Sequence, residues 1–206
     1  MIRVLLAIVL AAGTPAVHHT NAGTKAARAS LLQLSDLGKG WTATPAPRQQ
    51  GVPLTCTAHD PSANGIVETG AASSPAFSVG PTGPFVQQNT SVFATAGQAS
   101  TWWRRAVTPT LVRCAAGTFA ALRARGVKVS VVSQATLPMS TALPETAALR
   151  VVAKANGKKL YFDLIVLGSG RAITGVTVSS FIQPVPAKYE RALAALLARR
   201  LGGPAA

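Results

Sequence analysis

Arg150, Tyr161 and Asp163 are the polar side chains that this sequence most plainly sets side by side. Asn156-Gly157 is the strongest short hairpin signal in the chain, because both central residues of such a turn need positive φ. It separates two β-rich runs, and a two-residue turn there places Val151 across from Phe162, Leu149 across from Leu164 and Arg150 across from Asp163. Tyr161 and Lys154 then share a face with the charged pair. A guanidinium, a carboxylate and a phenol on one face are read as a candidate cleft that orients a polar ligand. The alternative is a cross-strand pair on a solvated sheet face, contributing well under ~1 kcal/mol.

Other chemistry is sparse. Six Asp and Glu residues are the whole carboxylate inventory. Glu68 with Glu145 or Asp163 would supply the two acids of a glycosidase if they converged within roughly 5–9.5 Å. His59 is the single histidine beyond the leader-like start, and Asp60 beside it reads as a turn residue before Pro61. Gly-x-Ser-x-Gly, Ser-x-x-Lys, His-Glu-x-x-His and Gly-x-x-x-x-Gly-Lys do not occur, so serine-hydrolase, zincin and P-loop chemistry are not indicated. Cys56-x-x-His59 lacks the further ligands of a closed zinc site. No catalytic residue, metal or cofactor is expected.

The elements that must carry these residues follow from periodicity. Val127–Leu137, Ala147–Ala155, Lys158–Leu167 and Arg171–Phe181 read as a meander of antiparallel strands, and Phe85–Ala94 as a further strand. The loop Gly168-Ser169-Gly170 can close with two or three residues, and these registers send different side chains to each face. Three fit better and would gather Leu149, Val151, Ala153, Leu160, Phe162, Leu164, Val166, Ala172, Thr174, Val176 and Val178 on one apolar face. That face is the expected core. A helix from about Gln98 to Arg125 carries Trp103, Val107, Leu111, Cys114 and Leu122 on one side, with a break near Pro109. Pro184 and Pro186 introduce a last helix, Ala187 to Leu201, with Tyr189, Leu193, Leu196 and Leu197 as its stripe. Ala29–Leu37 reads as a short helix capped by Ser30, and residues 42–83 as loop with short strands. The fold expected is one α+β domain, residues 30–202, with a twisted antiparallel sheet against helices.

The start of the chain reads as an address. Met1-Ile2-Arg3, the apolar run Val4–Ala12 and small residues at Thr14/Ala16 and Thr20/Ala22 form an export signal over residues 1–22, cleaved after Ala16 or Ala22. Residues 23–29 would be a flexible exit and 203–206 a tail. The apolar run is short of the ~20 residues that span a bilayer, so the protein is expected to be secreted or extracytoplasmic, associated with the cell envelope. Two cysteines in an exported chain make a Cys56–Cys114 disulfide the default, its loop closure contributing roughly 4 kcal/mol.

Twenty Lys and Arg residues against six acids give a formal charge of +14. Scattered cations, 5% aromatics and export argue against a nucleic-acid partner. Anionic polymers or lipid head groups of an envelope suit the charge better.

Leu31-Leu32 and Asp36, Cys56, Phe93-Ala94-Thr95-Ala96 leading into Trp102-Trp103 and Cys114, then strands and a terminal helix, occur in an order that resembles the actinobacterial PknH-like extracellular sensor family. The resemblance runs over most of Ser30–Leu201. It implies an α+β sensor domain with a ligand cleft, found in receptor-kinase ectodomains and exported lipoproteins. The chain departs from that pattern in lacking a second cysteine pair, in placing Leu111 where a Trp often precedes the helix Cys, and in having no kinase domain or lipid-attachment Cys. The expected function is an exported, non-catalytic sensor-like or ligand-binding domain that takes an unidentified small molecule or envelope component. The alternatives are a basic structural envelope protein held to anionic polymers and, behind it, a hydrolase with a carboxylate site.

Overall fold

The computed structural model describes residues 15–45, 63–107 and 128–202, together with the backbone of Ile8–Val9 and Val52–Pro53 and the isolated position Arg123. Cys56, Cys114, His59 and Asp60 lie outside the described residues, as does the helix expected beyond Val107. Among the described residues there is no disulfide.

β-Branched and aromatic runs become strands where they were expected. In chain order the strands are β1 (Ile8–Val9), β2 (Ala16–Val17), β3 (Thr42–Thr44), β4 (Val52–Pro53), β5 (Val67–Ser73), β6 (Ala76–Ser78), β7 (Phe85–Phe93), β8 (Val129–Thr136), β9 (Glu145–Ala155), β10 (Lys158–Ser169) and β11 (Ala172–Ser180). Nine of them build one mostly antiparallel sheet, ordered β2-β5-β7-β11-β10-β9-β8, with β6 on β7 and β3 on β6; β1 and β4 pair separately. The helices are α1 (Asn21–Ala29), α2 (Ala96–Trp102, continued by a π turn through Val107) and α3 (Ala187–Leu201). The α+β class and the single domain are as read from the sequence.

The β9–β10 register is also as read: Arg150 pairs with Asp163, Val151 with Phe162 and Leu149 with Leu164. The next register is not. Strand β10 runs on through Gly168 to Ser169, which pairs with Ala172, and the turn is Gly170-Arg171, with Gly170 at a φ of 55°. A two-residue turn of this kind suits a glycine at positive φ. It moves every side chain of β11 to the opposite face from the one expected.

The physical reason is that both faces are buried, so apolar content could not choose between them. On one face Leu149, Val151, Phe162, Leu164, Val166 and Ile173 meet Trp102, Trp103 and Ala106. On the other, Ile165, Leu167, Val176, Val178 and Val86 meet Ala27 of α1 and Leu193, Leu197 and Leu201 of α3. The second face, expected to be wet, is a core of its own.

The segment read as a flexible exit forms helix α1. Thr20 caps it, its hydroxyl accepting the Gly23 N–H at 3.0 Å, and Ser30 ends it rather than starting a helix. Beyond Ser30 only Leu34–Asp36 forms a 3-10 turn, with Leu32 and Leu37 buried and Leu34 exposed. The inward side of α1 is Gly23 and Ala27, residues too small to mark an apolar stripe. Gly23 lies against Thr69 and Gly70 of β5 so closely that a methyl group on either glycine would overlap the other strand's or helix's backbone.

Candidate functional site

Asp163 stands at the middle of β10, and its alternation with Ile165 and Leu167 turns it toward α3. It is 1% exposed. A carboxylate in that setting needs a partner, since an isolated charge in low dielectric is strongly disfavoured. Arg150 supplies it: Nε and Nη2 each donate to one oxygen of Asp163 at 2.7 Å, the bidentate geometry in which guanidinium and carboxylate bind best. The bond to Asp163 pushes the Arg150 pKa up against the opposing effect of burial.

A third group joins them from the helix. Glu190 of α3 is 1% exposed, and its Oε1 accepts from Arg150 Nη2 at 3.1 Å. Two carboxylates thus share one guanidinium. Burial first, then the neighbouring Asp163, push the Glu190 carboxyl up from its ordinary 4.5 to about 8, with Arg150 opposing. Burial beside a second acid thus favours the protonated form of Glu190 near neutral pH. The helix meets the sheet at this cluster through the Glu190–Arg150 contact.

Tyr161 lies on the same face, half-buried, across from Val152 and Ser180. It is beside Asp163 in the alternation but is not part of the ion cluster. The structure thus brings Arg150 and Asp163 into direct contact, sets Tyr161 next to them, and places the whole row on the face that α3 covers. Sequence reasoning missed Glu190. Its signal was its position, three residues before Leu193 and seven before Leu197, inside the stripe that a helix buries; a carboxylate there needs a cation opposite.

Two further polar clamps hold this layer together. Gln88 is buried; its Oε1 accepts the Leu32 N–H at 2.6 Å and its amide nitrogen donates to Thr174 at 2.8 Å and to the Ser30 carbonyl at 3.1 Å. That knot ties the end of α1 to β7 and β11. Arg200 of α3 donates to the Leu31 carbonyl at 2.6 Å and to Asp36 at 2.8 Å. Tyr189 stacks on Trp41, ring centroids 5.9 Å apart, and burial raises its phenol to about 12.

The acids considered for a two-carboxylate site do not converge. Glu145 opposes Gly168 on the face that α2 covers, bonded to Ser100 at 2.6 Å; Asp163 is on the other face and five residues along, about 17 Å of strand. Glu68 sits on β5, bonded to His19 at 3.0 Å, three strands from β10. Among the described residues no group of three or more His, Cys, Asp or Glu gathers as a metal site would require, and no helix is long and apolar enough to cross a membrane.

No protein-family model and no curated protein matches the chain. The resemblance to the PknH-like sensor family rests on the residues quoted for it above.

Proposed function

We propose that this protein is an exported, non-catalytic sensor-like or ligand-binding domain of the cell envelope. The observation that supports this reading is the docking of α3 through Arg150, Asp163 and Glu190. A domain that reports a ligand needs an element with two accessible arrangements whose balance the ligand shifts. In this reading the helix held by two acids on one guanidinium is that element, because a change in local field would alter the charge buried beneath it. The order of motifs resembling PknH-like ectodomains is consistent with the same role.

The test uses the full chain. Fractions of envelope extract are added, and backbone hydrogen exchange is followed along Ala187–Leu201. A fraction that binds is expected to change exchange in that helix more than in β9 or β10. Binding that leaves the helix unaltered, or an extract in which no fraction binds, contradicts the reading. Fractionation of cells that express the full chain should place it outside the cytoplasm.

A second reading, attachment to anionic polymers by charge, is favoured by the distribution of acids. Of the described carboxylates, Asp36, Glu68, Asp163 and Glu190 each meet a basic side chain and Glu145 a serine, while the lysines face outward.

A further inference from the structure

The β9–β10 hairpin ends in a concentration of positive charge that no described carboxylate balances. Lys154 and Lys159 are directly opposite one another across the ladder, Lys158 is the next residue toward the turn, and the Lys128 carbonyl accepts the Asn156 N–H at 2.8 Å, which fixes Lys128 at the same tip. All four are exposed. Like charges directly opposite on a sheet repel at a Cβ separation of about 5 Å. No described carboxylate stands near: all five are engaged elsewhere, on β5, at the start of β9, in mid-β10, on α3 and in the 3-10 turn.

The same face offers one more feature. Alternation sets Tyr161, half-buried, beside Lys159 and diagonal to Lys154. Two lysines directly opposite one another, with a half-buried tyrosine next to them on the same face, match a ligand that carries both an anion and a flat apolar sugar face. We infer that Lys154, Lys159 and Tyr161 form a docking surface for an acidic polysaccharide, with Lys128 and Lys158 adding to its field.

A membrane surface fits less well. Interfacial binding draws on buried apolar area as well as charge, and the tip residues Lys154–Lys159 present no large apolar side chain. This inference rests on the attachment reading and not on any response of α3.

The experiment is binding of the full chain to polygalacturonate, with polyphosphate, neutral dextran and phosphatidylglycerol vesicles as comparison probes. Polygalacturonate is expected to bind at 0.1 M salt and to be released at 1 M, as the screening length falls from about 10 Å to about 3 Å. The double variant Lys154→Gln/Lys159→Gln should bind it at least tenfold more weakly while melting no lower than the parent. Tyr161→Phe should bind as the parent does, and Tyr161→Ala should lose affinity for polygalacturonate but not for polyphosphate. Parent-like binding by the double variant overturns the site while leaving the attachment reading standing. Absence of binding to both polyanions overturns both, and a preference for vesicles over polygalacturonate identifies a membrane as the partner instead.

Discussion

Arg150 on β9 and Asp163 on β10 face each other across the sheet, joined by two 2.7 Å bonds, and the carboxylate is 1% exposed beneath a helix. This is a different object from the surface ion pair that facing strands usually carry. Its energetic weight lies in what its loss would leave behind: two buried acids without a cation.

Arg150→Ala should therefore cost about 3–5 kcal/mol of stability, the range for breaking a buried pair from one side. Replacing Arg150, Asp163 and Glu190 together by Met, Leu and Leu should cost much less, since apolar groups of similar volume leave no unpaired charge. Urea unfolding of both variants checks the contrast; equal losses would contradict it.

Glu190 gives the protein a pH dependence of known sign. Its carboxyl is raised from 4.5 to about 8 in the folded chain, so between those values the folded state holds a proton that the unfolded state releases. Its contribution is fully present below about pH 4.5, is lost progressively as pH rises to about 8 and is flat above that. The change is roughly 2–5 kcal/mol, at about 1.4 kcal/mol per pKa unit. Glu190→Gln, which mimics the protonated acid, should flatten this part of the profile and stay within about 1 kcal/mol of the parent at pH 6. Chemical unfolding at intervals from pH 4 to pH 9 measures it.

How far the sequence disclosed these groups can be seen residue by residue. The Asn156-Gly157 turn fixed the Arg150–Asp163 pairing because a two-residue turn leaves one register, and Pro184 and Pro186 marked the start of a helix whose bounds are Ala187–Leu201. The face of β11 was illegible because Ile165, Leu167, Phe162 and Val166 are all buried, on both sides of the sheet. Helix α1 was hidden for another reason: its inward residues are Gly23 and Ala27, and close backbone approach leaves no hydrophobic trace. Glu190 was not singled out, because carboxylates are seldom fully buried.

The Gly23–Gly70 approach makes a separate prediction. Gly70→Ala places a methyl group on the Gly23 backbone, and overpacking of this kind costs typically about 1–3 kcal/mol. Hydrogen exchange should rise along Asn21–Ala29 before it rises in β10; unchanged protection of that helix would contradict the packing described.

At the hairpin tip the expected effect is opposite. Lys159→Glu converts the repulsion with Lys154 into an attraction and should raise stability by about 0.2–1 kcal/mol at low salt, a gain that shrinks at 1 M salt. Thermal melting at the two salt concentrations reads it directly.

The most direct measurement of the central claim, that α3 is docked by two acids sharing one guanidinium, is the titration of the Glu190 side-chain carboxyl by carbon NMR. The structure calls for a midpoint near 8, falling when Asp163 is replaced by Asn. A midpoint near 4.5, unmoved by that substitution, would contradict it.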